Sequence, residues 1–229
     1  MGQRAEFLSF LTELYKDDSC DYWSSARKYY RDYEWTVYDF FKDPLTLEEL
    51  GYVNNKIVAL RKNYKDEELL DLGRQTLLTQ LKEEKNYVSA SFSFITGRKS
   101  KRAKSYCLMS AAVVKDRTGV SINVFYRATE ATKKFGADLI FLREVFTEFI
   151  PEELLKRVRY VKFYFTLLYV VPIYFPLAYL LGVRIDPDRN DRMAEWCQRH
   201  FDRASEGIVK PKFGPTKRIY ENFQKRMKR

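Results

Sequence analysis

Three strand-like segments separated by turns lie between Tyr87 and Ala128, and that pattern leaves room for little but a sheet. In YVSASFSFI, Val88, Ala90, Phe92 and Phe94 fall on one side and serines on the other. A period of two with polar residues opposite marks a strand with one buried face. SYCLMSAAVV predicts a second strand, KDRTG a hairpin turn and VSINVFYRA a third strand. Strands in succession form an apolar face that other elements must cover.

Helices are the natural cover. Residues 4–15 and 24–42 carry helical spacing, the latter placing Tyr30, Tyr33, Val37, Phe40 and Phe41 on one face. KDPLTLEEL breaks at Pro44, then offers Thr46 as an N-cap with Glu49 at capping-box distance. Further helices are predicted over 47–62, 66–83, 129–147, 173–182, 190–204 and 216–228, with a short turn opening at Pro151 and a strand over 158–169. The class is α+β in one domain. Its core runs over about 24–185, with a helical N-terminus and a basic helical C-terminal extension over 186–229.

With 229 residues, 45% of them apolar, the chain can build a sizeable core. The formal charge of +10 favours anionic partners: nucleotides, nucleic acid or phospholipid surfaces. Cys20, Cys107 and Cys197 are odd in number and widely spaced, which argues against a disulfide framework and for a reducing compartment. His200 is the single histidine, so neither a zinc site nor a Ser-His-Asp triad has recognisable spacing, and no metal is expected. MGQRAEFLSFLTELYKDD has no apolar signal core, so a cytoplasmic protein is expected. FYFTLLYVVPIYFPLAYLLGV, residues 163–183, is uncharged and long enough to span a bilayer. Pro172, Pro176 and a β-branched first half read better as a buried strand followed by a buried helix, so a membrane is not an expected partner.

Three residues stand out in the strand region and just beyond it. Cys107 lies in an apolar strand, Arg127 ends the next, and Asp138 sits inside FGADLIFL, where an unpaired acid would suffer a desolvation cost. Alone, each has an ordinary explanation: core filling, a surface ion pair, a paired acid. Their separations, twenty residues and then eleven, are what carry information.

At those separations the sequence resembles the thymidylate synthase and deoxycytidylate hydroxymethylase superfamily, over about residues 80–175. The resemblance implies a mixed sheet flanked by helices. It implies Cys107 as the catalytic nucleophile, Arg127 as a phosphate ligand and Asp138 as the base-reading residue. FYRATEATKKFGAD is similar to the family's Arg-Ser-x-Asp run, which puts Glu130 beside the substrate; TLLY matches the family's sugar-binding Tyr at Tyr169. RDYEW is similar to the segment with the catalytic Glu, with Asp32 or Glu34 as acid/base. The resemblance further implies a pyrimidine nucleotide as substrate, 5,10-methylenetetrahydrofolate as carbon donor and a homodimer.

The chemistry explains the residue types. C5 of a pyrimidine becomes nucleophilic only after a thiolate adds at C6; a nearby cation favours that thiolate, and a forked guanidinium holds a phosphate. A protonated carboxyl can accept from cytosine N4 and donate to N3, so Asp138 points to a cytosine nucleotide, methylated or hydroxymethylated at C5. A phage or virus making modified DNA would suit such an enzyme. The sequence also departs from the family. Ala128 replaces its Ser, Leu167 its sugar-binding His, the tandem Arg pair is missing, and the tail that closes over folate is not recognisable. Arg98, Lys99, Lys101, Arg102 and Lys104 in TGRKSKRAK offer substitute phosphate or nucleic-acid contacts. The alternative reading is an inert or nucleic-acid-directed relative that binds nucleic acid or a protein through its basic surface.

Overall fold

A six-stranded sheet in the order β1-β2-β6-β5-β4-β3 organises the chain. The strands are β1 (Tyr22–Ser24), β2 (Arg27–Val37), β3 (Val88–Ser93), β4 (Leu108–Asp116), β5 (Gly119–Glu130) and β6 (Val158–Val170). All neighbours run antiparallel except β5 and β6, which are parallel, so the sheet is mixed. The structure is a computed structural model that describes residues 2–16, 22–24, 27–50, 65–94, 107–171, 174–206 and 217–227. The α+β class and the mixed sheet flanked by helices are as expected.

The described helices are α1 (Gln3–Lys16), α2 (Glu67–Lys82), α3 (Gly136–Phe149), the single turn α4 (Glu152–Leu155), α5 (Phe175–Leu181), α6 (Pro187–Ser205) and α7 (Lys217–Met227). A π-helical turn, Ala131–Phe135, joins β5 to α3. The predicted helix over 129–147 therefore starts later, because β5 keeps pairing with β6 out to Glu130↔Tyr169. Asp66 caps α2 by accepting from the Leu69 N–H at 3.3 Å, an arrangement worth about 1 kcal/mol. The Thr46–Glu49 capping box forms, each side chain accepting from the other's backbone N–H at 3.2 and 3.0 Å. The helix predicted beyond it lies mostly outside the described residues.

Residues 163–183 resolve into the end of β6 and then α5, and no described helix is long and apolar enough to cross a membrane. The hairpin at KDRTG is closed by Asp116, whose carboxylate accepts from the Thr118 and Gly119 N–H groups at 2.7 and 3.1 Å. Gly119 adopts φ +144°, a conformation that side chains disfavour.

One expectation fails. Residues 24–42 do not form a helix; Arg27–Val37 is strand β2, paired along β6 from Lys28↔Val170 to Val37↔Val161. Lys28 and Tyr30 face inward, then Arg31 and Asp32 are both exposed, and from Tyr33 onward the odd residues turn in. Asp32 makes this change of side at φ +47°. The slip gives inward residues three and four apart, which imitates a helical period.

The same change of side runs across the sheet. On β6, Phe163 and Phe165 are buried, then Leu168 and Val170. On β5, Val124 and Tyr126 are buried, then Thr129 and Glu130. On β4 the register shifts between Leu108 and Ser110. A line of bulge-like irregularities thus crosses four adjacent strands, and such features re-aim side chains.

The buried side of this sheet is covered by α1 and α3. Phe7 and Phe10 from α1 meet Phe135 at 6.3 and 5.8 Å between ring centroids, and Phe141 of α3 meets Phe94 at 6.0 Å. Helix α2 lies on β3, where Gln80 exchanges two hydrogen bonds with the Ser89 backbone, at 2.9 and 2.7 Å. Phe223 of α7 packs on Phe175 and Tyr179 of α5. The sheet's opposite side keeps Met109 and Phe125 exposed, with Phe125 stacked on Tyr164 at 5.1 Å.

Candidate functional site

Cys107 immediately precedes β4, and its carbonyl accepts the Arg127 N–H at 2.9 Å. The two residues extend the β4–β5 ladder by one pair beyond Leu108↔Tyr126, which places them side by side. Cys107 is half-buried against the core and carries a free thiol. Arg127 and Lys134 are exposed; Asp138, in the first turn of α3, is half-buried.

Among the described residues, three charges act on the Cys107 thiol. Burial pushes its pKa up, Lys134 pulls it down, Asp138 pushes it up and Arg127 pulls it down, in that order of size. The net direction is upward, so at neutral pH the resting residue is a thiol. Lys134 had no motif to announce it, yet its pull on the thiol exceeds that of Arg127.

The turn that delivers Lys134 and Asp138 is held by Glu130. This acid is 2% exposed, and its two carboxylate oxygens accept from the Thr132 and Lys134 N–H groups at 3.0 and 3.3 Å. Side chains that bond the backbone a few residues on commonly fix such turns. The Thr132 hydroxyl shares a 2.9 Å hydrogen bond with the Tyr15 hydroxyl, tying the turn to α1. Burial and then the Glu130 charge raise the pKa of both Tyr15 and Tyr174. Lys28, 1% exposed, donates to the Tyr15 carbonyl at 3.5 Å. Glu130 thus belongs to a buried polar group behind the site.

Tyr169 sits in a different neighbourhood from Cys107. It pairs with Glu130 across the β5–β6 register, its ring lies 6.0 Å from that of Tyr29, and the Arg27 guanidinium lies 5.2 Å above it. Asp32 and Glu34 are exposed on β2, and neither is among the charges acting on Cys107. Glu34 forms an ion pair with Lys162 at 2.5 Å. The two apolar departures face each other: Ala128 and Leu167 are a register pair, with Arg31 opposite Leu167 on β2. Arg98, Lys99, Lys101, Arg102 and Lys104 lie outside the described residues, as does Cys20. Among the described residues no group of three His, Cys, Asp or Glu gathers as metal ligands would.

No family model matches the chain. No curated protein matches it either. Among solved structures it is similar to the thermostable thymidylate synthase A of Bacillus subtilis, at 8% identity and a TM-score of 0.46, over 80% of this chain and 85% of that one.

Proposed function

We propose that this protein is a transferase that modifies C5 of a pyrimidine nucleotide, with a cytosine nucleotide preferred. The observation that carries the reading is the meeting of a half-buried thiol, two cations and a carboxyl group at the β4–β5 edge and the turn into α3. In this reading the Cys107 thiolate adds to C6 of the base, and the electron pair displaced onto C5 makes that carbon the nucleophile. Arg127 binds the phosphate through forked donors. Asp138 reads the base; as a protonated acid it complements cytosine N3 and N4. A protonated Asp138 also withdraws the negative charge that opposes the thiolate. Tyr169 as a sugar ligand and Asp32 or Glu34 as acid/base remain part of the proposal, although they stand apart from the Cys107 group.

The resemblance implies methylenetetrahydrofolate as the carbon donor, giving a methyl or hydroxymethyl product. Glu130, the acid it places beside the substrate, is buried, and its carboxylate accepts from two backbone N–H groups of its own turn.

Tritium release from C5-labelled dCMP, dUMP, CMP or UMP, with and without methylenetetrahydrofolate, tests the proposal. Release from one of them that Cys107→Ala abolishes is the expected result. Release that survives in Cys107→Ala ends the nucleophile assignment. No release from any of the four, together with salt-sensitive nucleic-acid binding, supports the inert or nucleic-acid-directed alternative. We also propose a homodimer formed through the sheet face that carries Met109 and Phe125. Light scattering that gives a monomer at micromolar concentration would remove it.

A further inference from the structure

On β6, rings and cations alternate along the side of the sheet that faces away from the core. Val161, Phe163 and Phe165 are buried, so Tyr160, Lys162 and Tyr164 point the other way. The Lys162 ammonium lies 4.9 Å from the centroid of the Tyr164 ring and pairs with Glu34 at 2.5 Å. Tyr160 has the Arg159 guanidinium 5.7 Å from its centroid and the Tyr38 ring edge-on at 6.4 Å. Tyr38, just past β2, is 66% exposed. Arg159 owes its place to the backbone. The pairing of β5 with β6 skips it, since Val120 faces Val158 and Ser121 faces Tyr160. A bulge of this kind re-aims a side chain. The Arg159 stem then runs over Gly119, where a Cβ would come within 2.8 Å of its Cδ. Arg117 in the hairpin and Arg157 ahead of β6 are exposed at the same end of the sheet, where the Val120 N–H donates to the Arg157 carbonyl at 3.1 Å. No described residue forms an ion pair with Arg117, Arg157 or Arg159. Asp116, the acid of that hairpin, accepts from the Thr118 and Gly119 N–H groups.

We propose that this strip, from Tyr38 through Tyr160 and Arg159 to Lys162, binds single-stranded nucleic acid. An unpaired base has a flat face that stacks on a tyrosine, and the phosphates between bases meet the cations set among the rings. A duplex hides its base faces and gains only the phosphate contacts. An acidic peptide would use the cations and leave the rings idle. A second copy of this chain would bring the same guanidinium groups, and like charges across an interface are costly. The homodimer proposed above uses the part of this face around Met109 and Phe125; the strip runs from there toward the KDRTG hairpin. Cys107 immediately precedes β4 and that hairpin follows it, so the strip lies at the other end of the sheet and does not rest on the nucleotide reading.

The test is the fluorescence anisotropy of a labelled oligodeoxythymidylate of about ten nucleotides, titrated with the full chain at several salt concentrations. The wild-type protein binds it, and the logarithm of the affinity falls linearly with the logarithm of salt. Tyr38→Ala and Tyr160→Ala each weaken binding about tenfold and leave the binding of a duplex of the same length unchanged. Arg159→Gln reduces the salt slope by about 0.7, the share of one phosphate contact. Arg192→Gln, at an exposed arginine on α6, leaves the slope as it was. Because Tyr38 is mostly exposed, circular dichroism and melting of Tyr38→Ala match the wild type, which separates loss of the strip from loss of the fold. No binding by the wild-type protein at low salt overturns the proposal, and so does wild-type affinity in both tyrosine variants. Equal losses of slope in Arg159→Gln and Arg192→Gln overturn it by showing that net charge alone binds the strand. Self-association that Tyr38→Ala abolishes while oligonucleotide binding stays intact overturns it in favour of a second copy.

Discussion

Replacing Phe135 with Ala should cost about 4–5 kcal/mol of stability, near the top of the range for a buried Phe. The ring has no exposure and closes the turn between Glu130 and Asp138. It stands edge-on to Phe7, Phe10, Trp35, Tyr126, Phe163 and Phe165, with centroids 5.0–6.3 Å apart. Removing a buried Phe side chain costs about 3–5 kcal/mol in lost transfer energy and cavity. Each edge-to-face pair is worth about 0.5–1.5 kcal/mol more, but pairs sharing one ring do not add, which sets the upper part of the range as the expectation. For a chain of this length that is a drop of roughly 8–20 °C in Tm. Urea denaturation followed by circular dichroism gives Cm and m together. Phe135→Leu, which keeps most of the volume, should lose well under half as much. A loss below about 2 kcal/mol for Phe135→Ala at unchanged m would refute the claim that this ring cluster fixes the turn.

Glu130→Gln keeps an acceptor but loses the charge; it should cost about 1–3 kcal/mol in denaturation and bring the Tyr174 phenol down toward its ordinary value, read by ultraviolet titration. Asp138→Asn should lower the Cys107 pKa and speed its alkylation at fixed neutral pH, whereas Lys134→Met should slow it; equal rates in all three proteins would show that these charges do not reach the thiol. Cys197 and Tyr15 are buried with pKa values raised above their ordinary ones, so the stability they contribute is whole below pH about 9 and lost as pH rises through the raised values. The urea midpoint should therefore fall from about pH 9 upward, with Cys197→Ala flattening the first part of the fall; a midpoint constant to pH 11 contradicts it. Gly73→Ala puts a Cβ 2.9 Å from both the Phe92 ring and the Ser91 carbonyl, and should cost about 1–3 kcal/mol by lifting α2 from β3.

The strands β3, β4 and β5 were legible because apolar residues alternate with polar ones over much of their length, and the hairpin at KDRTG pairs β4 with β5. The segment around Asp32 was not. Its inward residues change side in mid-strand, and a pattern of 30, 33 and 37 cannot be told from a helix stripe without the partner strand. That Cys107 and Arg127 fall side by side was legible, because the KDRTG turn folds the segment between them into a hairpin; Asp138 was singled out with them through the family resemblance. Lys134 was not. In ATKKF it is one of two lysines in a polar turn, and its place depends on an inserted π-turn residue. The one hint was Glu130 at the strand's end, an acid ahead of a Thr-containing turn whose backbone N–H groups it could hold. The buried Lys28 was equally silent, since nothing in its local sequence sets it apart from an exposed strand lysine.

The strand order has a consequence for how the chain is made. Among the described residues, β2 has one long neighbour, β6, which is the last described strand to be synthesised. A chain emerging from the ribosome can close the β4–β5 hairpin and dock β3 while its first long strand waits with a free edge. Loop closure over that span is slow, and an unpaired aromatic strand is prone to join the wrong partner meanwhile. Chains stalled before Val158 should leave Arg27–Val37 open to protease, and chains stalled well beyond Val170 should protect it. The residue that flips β2 in mid-strand, Asp32, places a charge and a kink on that waiting edge, and both discourage a foreign strand from pairing there.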